Sequence, residues 1–144
     1  MVRTTTTSRR SPEREVYVPS KPVILCVDDE PAGLIARRLV LSTAGYAVLT
    51  AASGAIALRL LTCNQVDLVV TDHLLPDLSG VDLISSMKQL KPDVPIILLT
   101  GLVDPPPGFE KADMLLTKGI TPPEFLAEIE RLLSQRWPNG TASV

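Results

Sequence analysis

The chain has 144 residues, of which 45% are apolar and 3% aromatic, and its formal net charge at pH 7 is −2. This length and apolar content suit a single domain with a core of Leu, Val, Ile and Ala, and they exclude a disordered chain. The charge gives no reason to expect a nucleic-acid partner, because duplex binding usually requires a basic excess. No apolar run approaches the roughly 18 residues that a membrane span needs, and no apolar segment follows the N-terminal arginines as in a secretory signal. We therefore expect a cytoplasmic protein that binds neither nucleic acid nor membrane.

Composition divides the chain into three parts. Residues 1–20 are rich in Thr, Ser, Arg and Pro, which is typical of a flexible N-terminal leader. Residues 21–137 carry the apolar periodicity of one domain, and residues 138–144 form a short C-terminal tail. Neither end has room for a further domain, so a DNA-binding output domain is not expected. Cys26 and Cys63 form no CxxC pair, and we expect both to be buried free thiols.

The first half of the domain alternates short apolar runs with longer runs of helical periodicity. VILCV (23–27) is apolar throughout, as expected for a strand covered on both faces. The next segment, Pro31 to Ala44, predicts a helix that stops at Gly45. Its apolar residues at helical spacing are Leu34, Ile35, Leu39, Val40 and Leu41. YAVLTA (46–51) then predicts a second strand, and Ser53 caps a second helix.

The second half continues the same alternation. VDLVVT (66–71) predicts the third strand, and a helix capped by Ser79 runs through Leu90. PIILLT (95–100) and ADMLLT (112–117) predict the fourth and fifth strands. Thr121 and Glu124 have the spacing of a capping box, which predicts a last helix ending near Trp137.

Strands and helices in this order predict an α/β protein, with a parallel sheet covered by helices on both faces. One connection breaks the pattern, because residues 105–107 are three consecutive prolines where a helix should join the fourth and fifth strands. Proline lacks the backbone donor that a helix interior requires. We therefore expect this fourth helix of the series to be missing, or reduced to a turn near Phe109–Lys111.

Polar residues follow four of the predicted strands. They are Asp28 and Asp29 after the first strand, Asp72 after the third, Thr100 at the end of the fourth and Lys118 after the fifth. In a doubly wound sheet these carboxyl ends surround one crevice, where ligands bind. Three clustered carboxylates repel one another, and a hard divalent cation such as Mg²⁺ relieves that conflict. A carboxylate beside such a cation can accept a phosphoryl group, whose oxygens Thr100 and Lys118 would bind.

Each of these residues has an ordinary explanation when taken alone. An acidic pair after a strand is usually a helix cap, a lysine at a strand end is usually solvated, and threonine is a good strand residue. The functional interpretation depends on their coincidence at one edge of the sheet. His73 lies beside Asp72, but neighbouring strand residues point to opposite faces, so we expect a packing or loop role for it.

Four segments of the sequence resemble the signature segments of response-regulator receiver domains: VILCVDDEP, TDHLLPDLSG, PIILLTG and LLTKG. The resemblance covers residues 21–136 and implies a flavodoxin-like sheet with strand order 2-1-3-4-5. It implies that Asp72 is the phosphoacceptor. It also implies that Mg²⁺ is the cofactor, with Mn²⁺ as the alternative ion. The implied metal ligands are Asp29, Asp72, the backbone carbonyl of Leu74 and, through a water, Asp28. The resemblance also makes Thr100 the switch hydroxyl, Lys118 the phosphoryl-binding lysine and Gly101 the small residue that leaves room for the phosphoryl group.

The resemblance also implies partners. We expect a stand-alone receiver that exchanges phosphoryl groups with a sensor histidine kinase or a histidine phosphotransfer protein, and that binds a downstream protein according to its phosphorylation. It is expected to be a signalling switch rather than a turnover enzyme. The alternative is a degenerate receiver that binds a partner without phosphorylation. A small phosphohydrolase is disfavoured, because Leu74 stands where such enzymes carry a second aspartate.

The sequence departs from the family on one face. Leu115 stands where members carry an aromatic residue, Gly119 stands where proline follows the lysine, and the fourth helix is reduced. Members use this face to dimerise or to bind targets, so we expect a signal relayed by another surface or by ordering of residues 101–111. Apolar Leu74 and Leu102 predict slow self-hydrolysis. Pro76 and Gly80 match the family's loop, for which glycine offers backbone freedom.

Overall fold

The computed structural model describes residues 21–101 and 104–136, and every structural statement below refers to these residues. They form a five-stranded parallel sheet with the order β2-β1-β3-β4-β5 and helices on both faces. The elements in chain order are β1 (Val23–Val27), α1 (Pro31–Thr43), β2 (Ala47–Ala51), α2 (Gly54–Cys63), β3 (Leu68–Asp72), α3 (Gly80–Leu90), β4 (Ile96–Thr100), β5 (Met114–Thr117) and α4 (Pro122–Arg136). This topology confirms the predicted flavodoxin-like sheet.

The helix ends follow the capping residues in the sequence. The Ser53 hydroxyl accepts a hydrogen bond from the Ile56 N–H at the start of α2, and the Ser79 hydroxyl accepts one from the Asp82 N–H at the start of α3. After α1, Gly45 adopts a φ of 101°, a left-handed conformation that favours glycine. These three predicted helix boundaries are therefore confirmed.

The start of α4 is a capping box, as predicted. The Glu124 N–H donates to the Thr121 hydroxyl at 3.3 Å, and the Thr121 N–H donates to Glu124 Oε1 at 3.3 Å. Two backbone donors are thereby satisfied reciprocally. The predicted end of this helix near Trp137, the leader (1–20) and the tail (138–144) lie outside the described residues. None of the helices that the structure describes is long and apolar enough to cross a bilayer.

Alternate residues of the central strands point to opposite faces of the sheet and pack into two separate hydrophobic cores. Leu25 and Val27 of β1 face the core under α2 and α3, whereas Ile24 and Cys26 face the core under α1 and α4. All five residues of β3 and all five of β4 are buried. This double burial explains why the strand sequences are apolar runs rather than alternating ones.

Two of the apolar residues in α1 do not face a core. Ile35 and Leu39 are 67% and 66% exposed, whereas Leu41 is fully buried and Leu34 and Val40 are partly buried.

The two cysteines also differ from each other in exposure. Burial raises the pKa of the Cys26 thiol to about 12, but Cys63 is exposed at the end of α2. The expectation that both thiols are buried is therefore wrong for Cys63.

The connection between β4 and β5 forms a single 3₁₀ turn at Phe109–Lys111, as predicted; residues 102–103 are not described. Gly108 precedes the turn with a φ of 86°, and a Cβ added there would lie 2.7 Å from Val81 Cγ1. The connection therefore packs directly against α3. Leu115, on the neighbouring strand β5, packs partly buried against the same core.

Gly80 is required for space rather than for backbone freedom, which corrects the reason given from sequence. Gly45 and Gly108 are the described glycines with positive φ, and Gly80 is not among them. A Cβ at Gly80 would lie 2.3 Å from the backbone oxygen of Asp72 and 3.0 Å from the Cα of His73. The first residue of α3 thus packs against the backbone at the end of β3.

Replacing Gly80 by alanine tests this contact. Because the added Cβ meets backbone that cannot move independently, we expect Gly80→Ala to lower the free energy of unfolding by about 1–3 kcal/mol. The control is Gly119→Ala, where no atom lies within 4 Å of the added Cβ. Urea unfolding of both variants measures the difference, and equal midpoints would contradict the packing explanation.

Candidate functional site

Three carboxylates meet at the carboxyl end of the sheet. Asp28 and Asp29 follow β1 and Asp72 ends β3, and one oxygen of each lies within 4.8 Å of the others. The strands β1 and β3 are hydrogen-bonded neighbours, so the fold itself creates this cluster. Asp28 and Asp72 are only 1% and 5% exposed, whereas Asp29 is exposed. The cluster offers only oxygen donors, which fit Mg²⁺ or Mn²⁺.

Both buried carboxylates have a partner on each oxygen. Asp72 Oδ1 accepts a hydrogen bond from the His73 N–H at 2.7 Å, and Asp72 Oδ2 lies 3.0 Å from the Lys118 ammonium. Asp28 Oδ1 accepts from the Glu30 N–H at 2.9 Å, and Asp28 Oδ2 pairs with the guanidinium of Arg37. The chain therefore supplies two cations of its own to the cluster, which lowers the cost of burying the carboxylates.

The predicted phosphoryl-binding residues lie at the same end of the sheet. Thr100 ends β4 and is buried, and its carbonyl accepts a hydrogen bond from the Lys118 N–H at 3.0 Å. Gly101 is exposed, and the nearest atom to a Cβ added there is Lys118 Cδ at 4.0 Å. The position next to Thr100 is therefore open. Leu74 is exposed in the loop after β3, where it forms an isolated bridge with Ser79.

His73 acts mainly through its backbone. Its N–H also lies within hydrogen-bonding distance of Leu99 O, at 3.1 Å, and its carbonyl accepts from the Gly80 N–H at 2.7 Å. Its side chain is half-buried, and Nδ1 has no hydrogen-bond partner among the described residues. These contacts support the packing and loop role predicted for this residue.

The loop after Asp72 is held by a contact that the sequence did not reveal. Asp77 Oδ1 accepts from the Gly54 N–H and Oδ2 from the Ala55 N–H, both at 2.9 Å. These backbone donors lower the pKa of the Asp77 carboxyl. The same end of α2 is covered by Leu78, whose Cδ2 is 2.1 Å from the position of a Cβ added at Gly54. Asp77 thus fastens the β3–α3 loop to the first turn of α2.

These residues lie together at one end of the sheet, and comparison with known proteins gives the family. Residues 24–130 match the model of the response regulator receiver domain. The match covers more than half of the chain, so the chain belongs to this family. It is 34% identical over 128 residues to the transcriptional regulatory protein PrrA of Mycobacterium tuberculosis, covering 86% of this chain and 55% of PrrA. It is 40% identical over 78 residues to the transcriptional regulatory protein GlrR of Escherichia coli, covering 54% of this chain and 18% of GlrR.

The chain therefore spans about half, or less, of the length of these curated relatives.

Similar solved structures are also receiver domains or response regulators. A CheY-like receiver domain protein from Methanospirillum hungatei matches with a TM-score of 0.76 and 28% identity, over 84% of this chain and 100% of that one. The response regulator TrrA from Thermotoga maritima, in complex with Mg²⁺-BeF, matches with a TM-score of 0.73 and 30% identity, over 77% and 98%.

The Asp77 contact predicts a pH dependence of stability. A carboxyl group whose pKa is lowered on folding stabilises the folded state above its unfolded pKa, and this contribution is lost as pH falls through the folded pKa. We expect Asp77→Asn to lower the urea midpoint at pH 7, modestly because the carboxylate is exposed to solvent. The difference from wild type should shrink as pH falls below the ordinary carboxyl range of about 4.

Urea titrations at several pH values measure this dependence. Glu110→Gln, which neutralises an exposed acidic residue of the 3₁₀ turn, is the control for loss of a negative charge. A destabilisation by Asp77→Asn that is the same at pH 7 and at low pH would contradict a role for the charged carboxylate.

Proposed function

We propose that the chain is a phosphoacceptor module of a two-component phosphorelay, in which Mg²⁺-dependent phosphorylation of Asp72 switches binding to a protein partner. One observation carries the proposal: the buried Asp72 lies within 4.8 Å of two further carboxylates and 3.0 Å from Lys118. A nucleophilic carboxylate, a cluster of carboxylates that can bind a cation and a phosphoryl-binding ammonium are the parts that phosphoryl transfer requires.

The residues present fit a divalent cation. The resemblance to receiver domains implies that Asp29 and Asp72 would bind the ion directly, together with the carbonyl of Leu74, and that Asp28 would act through a bound water. The structure of TrrA in complex with Mg²⁺-BeF supports the choice of Mg²⁺ by family relationship. When bound, the cation neutralises charge that develops on the transferred phosphoryl group.

The protein's own residues carry out the transfer. An oxygen of Asp72 forms the new bond to phosphorus while the bond between phosphorus and its donor breaks, and the bonding electrons leave with the donor. The His73 N–H holds one Asp72 oxygen at 2.7 Å and thereby fixes the plane of the carboxylate. Lys118 then exchanges its contact with Asp72 for the phosphoryl oxygens, and the Thr100 hydroxyl donates to one of them.

The phosphorylated site would change the end of β4 and the loop after β5. Thr100 and Lys118 are joined through their backbones, so a phosphoryl group bound by both side chains pulls on both elements together. The downstream surface differs from that of typical members, since Leu115 and a 3₁₀ turn occupy the usual output face. The partners we propose are a sensor histidine kinase or histidine phosphotransfer protein in the cytoplasm, and one downstream protein target. In this role the chain is a switch and not a turnover enzyme.

A second candidate is a receiver that binds its partner without phosphorylation. Its support is specific: Arg37 and Lys118 already pair with the two buried carboxylates, so neither of these depends on a metal ion for a cationic partner. Leu115 in place of an aromatic residue points the same way. The intact set of phosphoryl-binding residues favours the first function.

Intact-protein mass spectrometry after incubation with acetyl phosphate and Mg²⁺ distinguishes the two functions. We expect one added phosphoryl group on the wild type, none after chelation of Mg²⁺ and none on Asp72→Asn. Asp82→Asn, an exposed aspartate in the first turn of α3, is the matched control and should be phosphorylated as the wild type is. No addition with either acetyl phosphate or phosphoramidate would favour the phosphorylation-independent module.

A further inference from the structure

We propose that Arg37 is a positioning residue that occupies Asp28 and lowers the affinity of the acidic cluster for a divalent cation. The proposal concerns the same site as the proposed function and rests on it for the identity of the cation. Arg37 lies on α1, and its guanidinium donates to Asp28 Oδ2. It is the second cation of the site, beside Lys118.

The carboxylate of this pair is buried and the guanidinium is partly buried, unlike most arginine–aspartate pairs on a protein surface. Asp28 is 1% exposed and the Arg37 side chain is 17% exposed. A buried carboxylate without a partner is strongly disfavoured, so the Asp28 carboxylate depends on whichever cation is next to it. Arg37 can provide this charge before a metal ion arrives.

Gly33 provides the space that lets Arg37 reach the cluster. It lies one helical turn before Arg37, and a Cβ added there would be 2.8 Å from Asp28 Oδ2 and 3.0 Å from Arg37 Nη2. Glycine is a poor helix former, and here the close approach of the two charged groups explains its presence in α1. A side chain at residue 33 would displace one member of the pair.

The charges determine the direction of the effect. Arg37 and Lys118 balance two of the three carboxylates, so an incoming dication finds one uncompensated negative charge. Without Arg37 it finds two, because the positive charge that compensated Asp28 and repelled the dication is gone. This change favours the bound cation, and because Asp29 is exposed and solvent and salt screen the site, we expect the affinity to increase by about tenfold.

The test is isothermal titration calorimetry of Mg²⁺ into the full chain at constant ionic strength. Arg37→Met should bind Mg²⁺ about tenfold more tightly than the wild type, whereas Arg38→Met, with the same change in net charge at an exposed position, should differ by no more than about twofold. Arg37→Gln, which keeps a hydrogen-bond donor but loses the charge, should resemble Arg37→Met and replaces it if that variant does not fold. Mg²⁺ should also raise the melting temperature of either Arg37 variant more than that of the wild type.

Each outcome decides the inference. Equal or weaker Mg²⁺ binding in the folded Arg37 variants, or no binding in any variant, overturns it. Phosphorylation of the wild type with unchanged Mg²⁺ affinity in the Arg37 variants leaves the proposed function intact and rejects only the role of Arg37. Tighter Mg²⁺ binding by these variants in a chain that acetyl phosphate does not modify supports the role of Arg37 and contradicts the proposed function.

Discussion

The repulsion between three carboxylates at the carboxyl ends of β1 and β3 is the constraint on which the rest of this site depends. The pairing of β1 with β3 in a parallel sheet brings Asp28, Asp29 and Asp72 together, and two of them are buried. Four polar contacts among the described residues offset this concentration of negative charge. The backbone N–H groups of Glu30 and His73 donate to the buried carboxylates, and Arg37 and Lys118 pair with them. A divalent cation and a phosphoryl group would enter a site in which two of the three carboxylates are already paired with cationic side chains.

The loops around the acidic cluster also pack closely. Gly80 allows the start of α3 to contact the backbone of Asp72, and Asp77 holds the intervening loop on the first turn of α2. Gly33 allows the charged end of Arg37 to approach Asp28. The acidic cluster is thus supported from α1 at Asp28 and from α2 and α3 at the loop after Asp72, while the connection between β4 and β5 is reduced to one turn packed on α3 through Gly108.

The elements of the fold could be predicted from local patterns in the sequence, whereas the strand order came from the resemblance to receiver domains. The apolar runs of the strands, the caps at Ser53 and Ser79, the capping box of Thr121 and Glu124 and the three consecutive prolines each act over a few residues, and each predicted the element that the structure contains. The site positions followed from the same reasoning, since residues at the carboxyl ends of parallel strands converge.

The features that were missed depend on contacts between distant residues or on the facing of single side chains. Asp77 binds backbone groups 22 and 23 positions earlier in the chain, and no local pattern indicates that pairing. In the sequence, Arg37 is an ordinary arginine within a predicted helix, and its contact with Asp28 becomes evident only when the space beside Gly33 is known. The exposure of Ile35, Leu39 and Cys63 depends on the angle at which their helices pack on the sheet, which periodicity does not specify.

The most direct test of the account is a crystal structure of the chain with Mg²⁺ and beryllofluoride, which stands in for a phosphoryl group. The account predicts beryllium bonded to a carboxylate oxygen of Asp72, fluorides bound by the Thr100 hydroxyl and the Lys118 ammonium, and Mg²⁺ held by Asp29 and Asp72. Beryllofluoride on Asp28 or Asp29, or a site that binds neither group, would contradict the account.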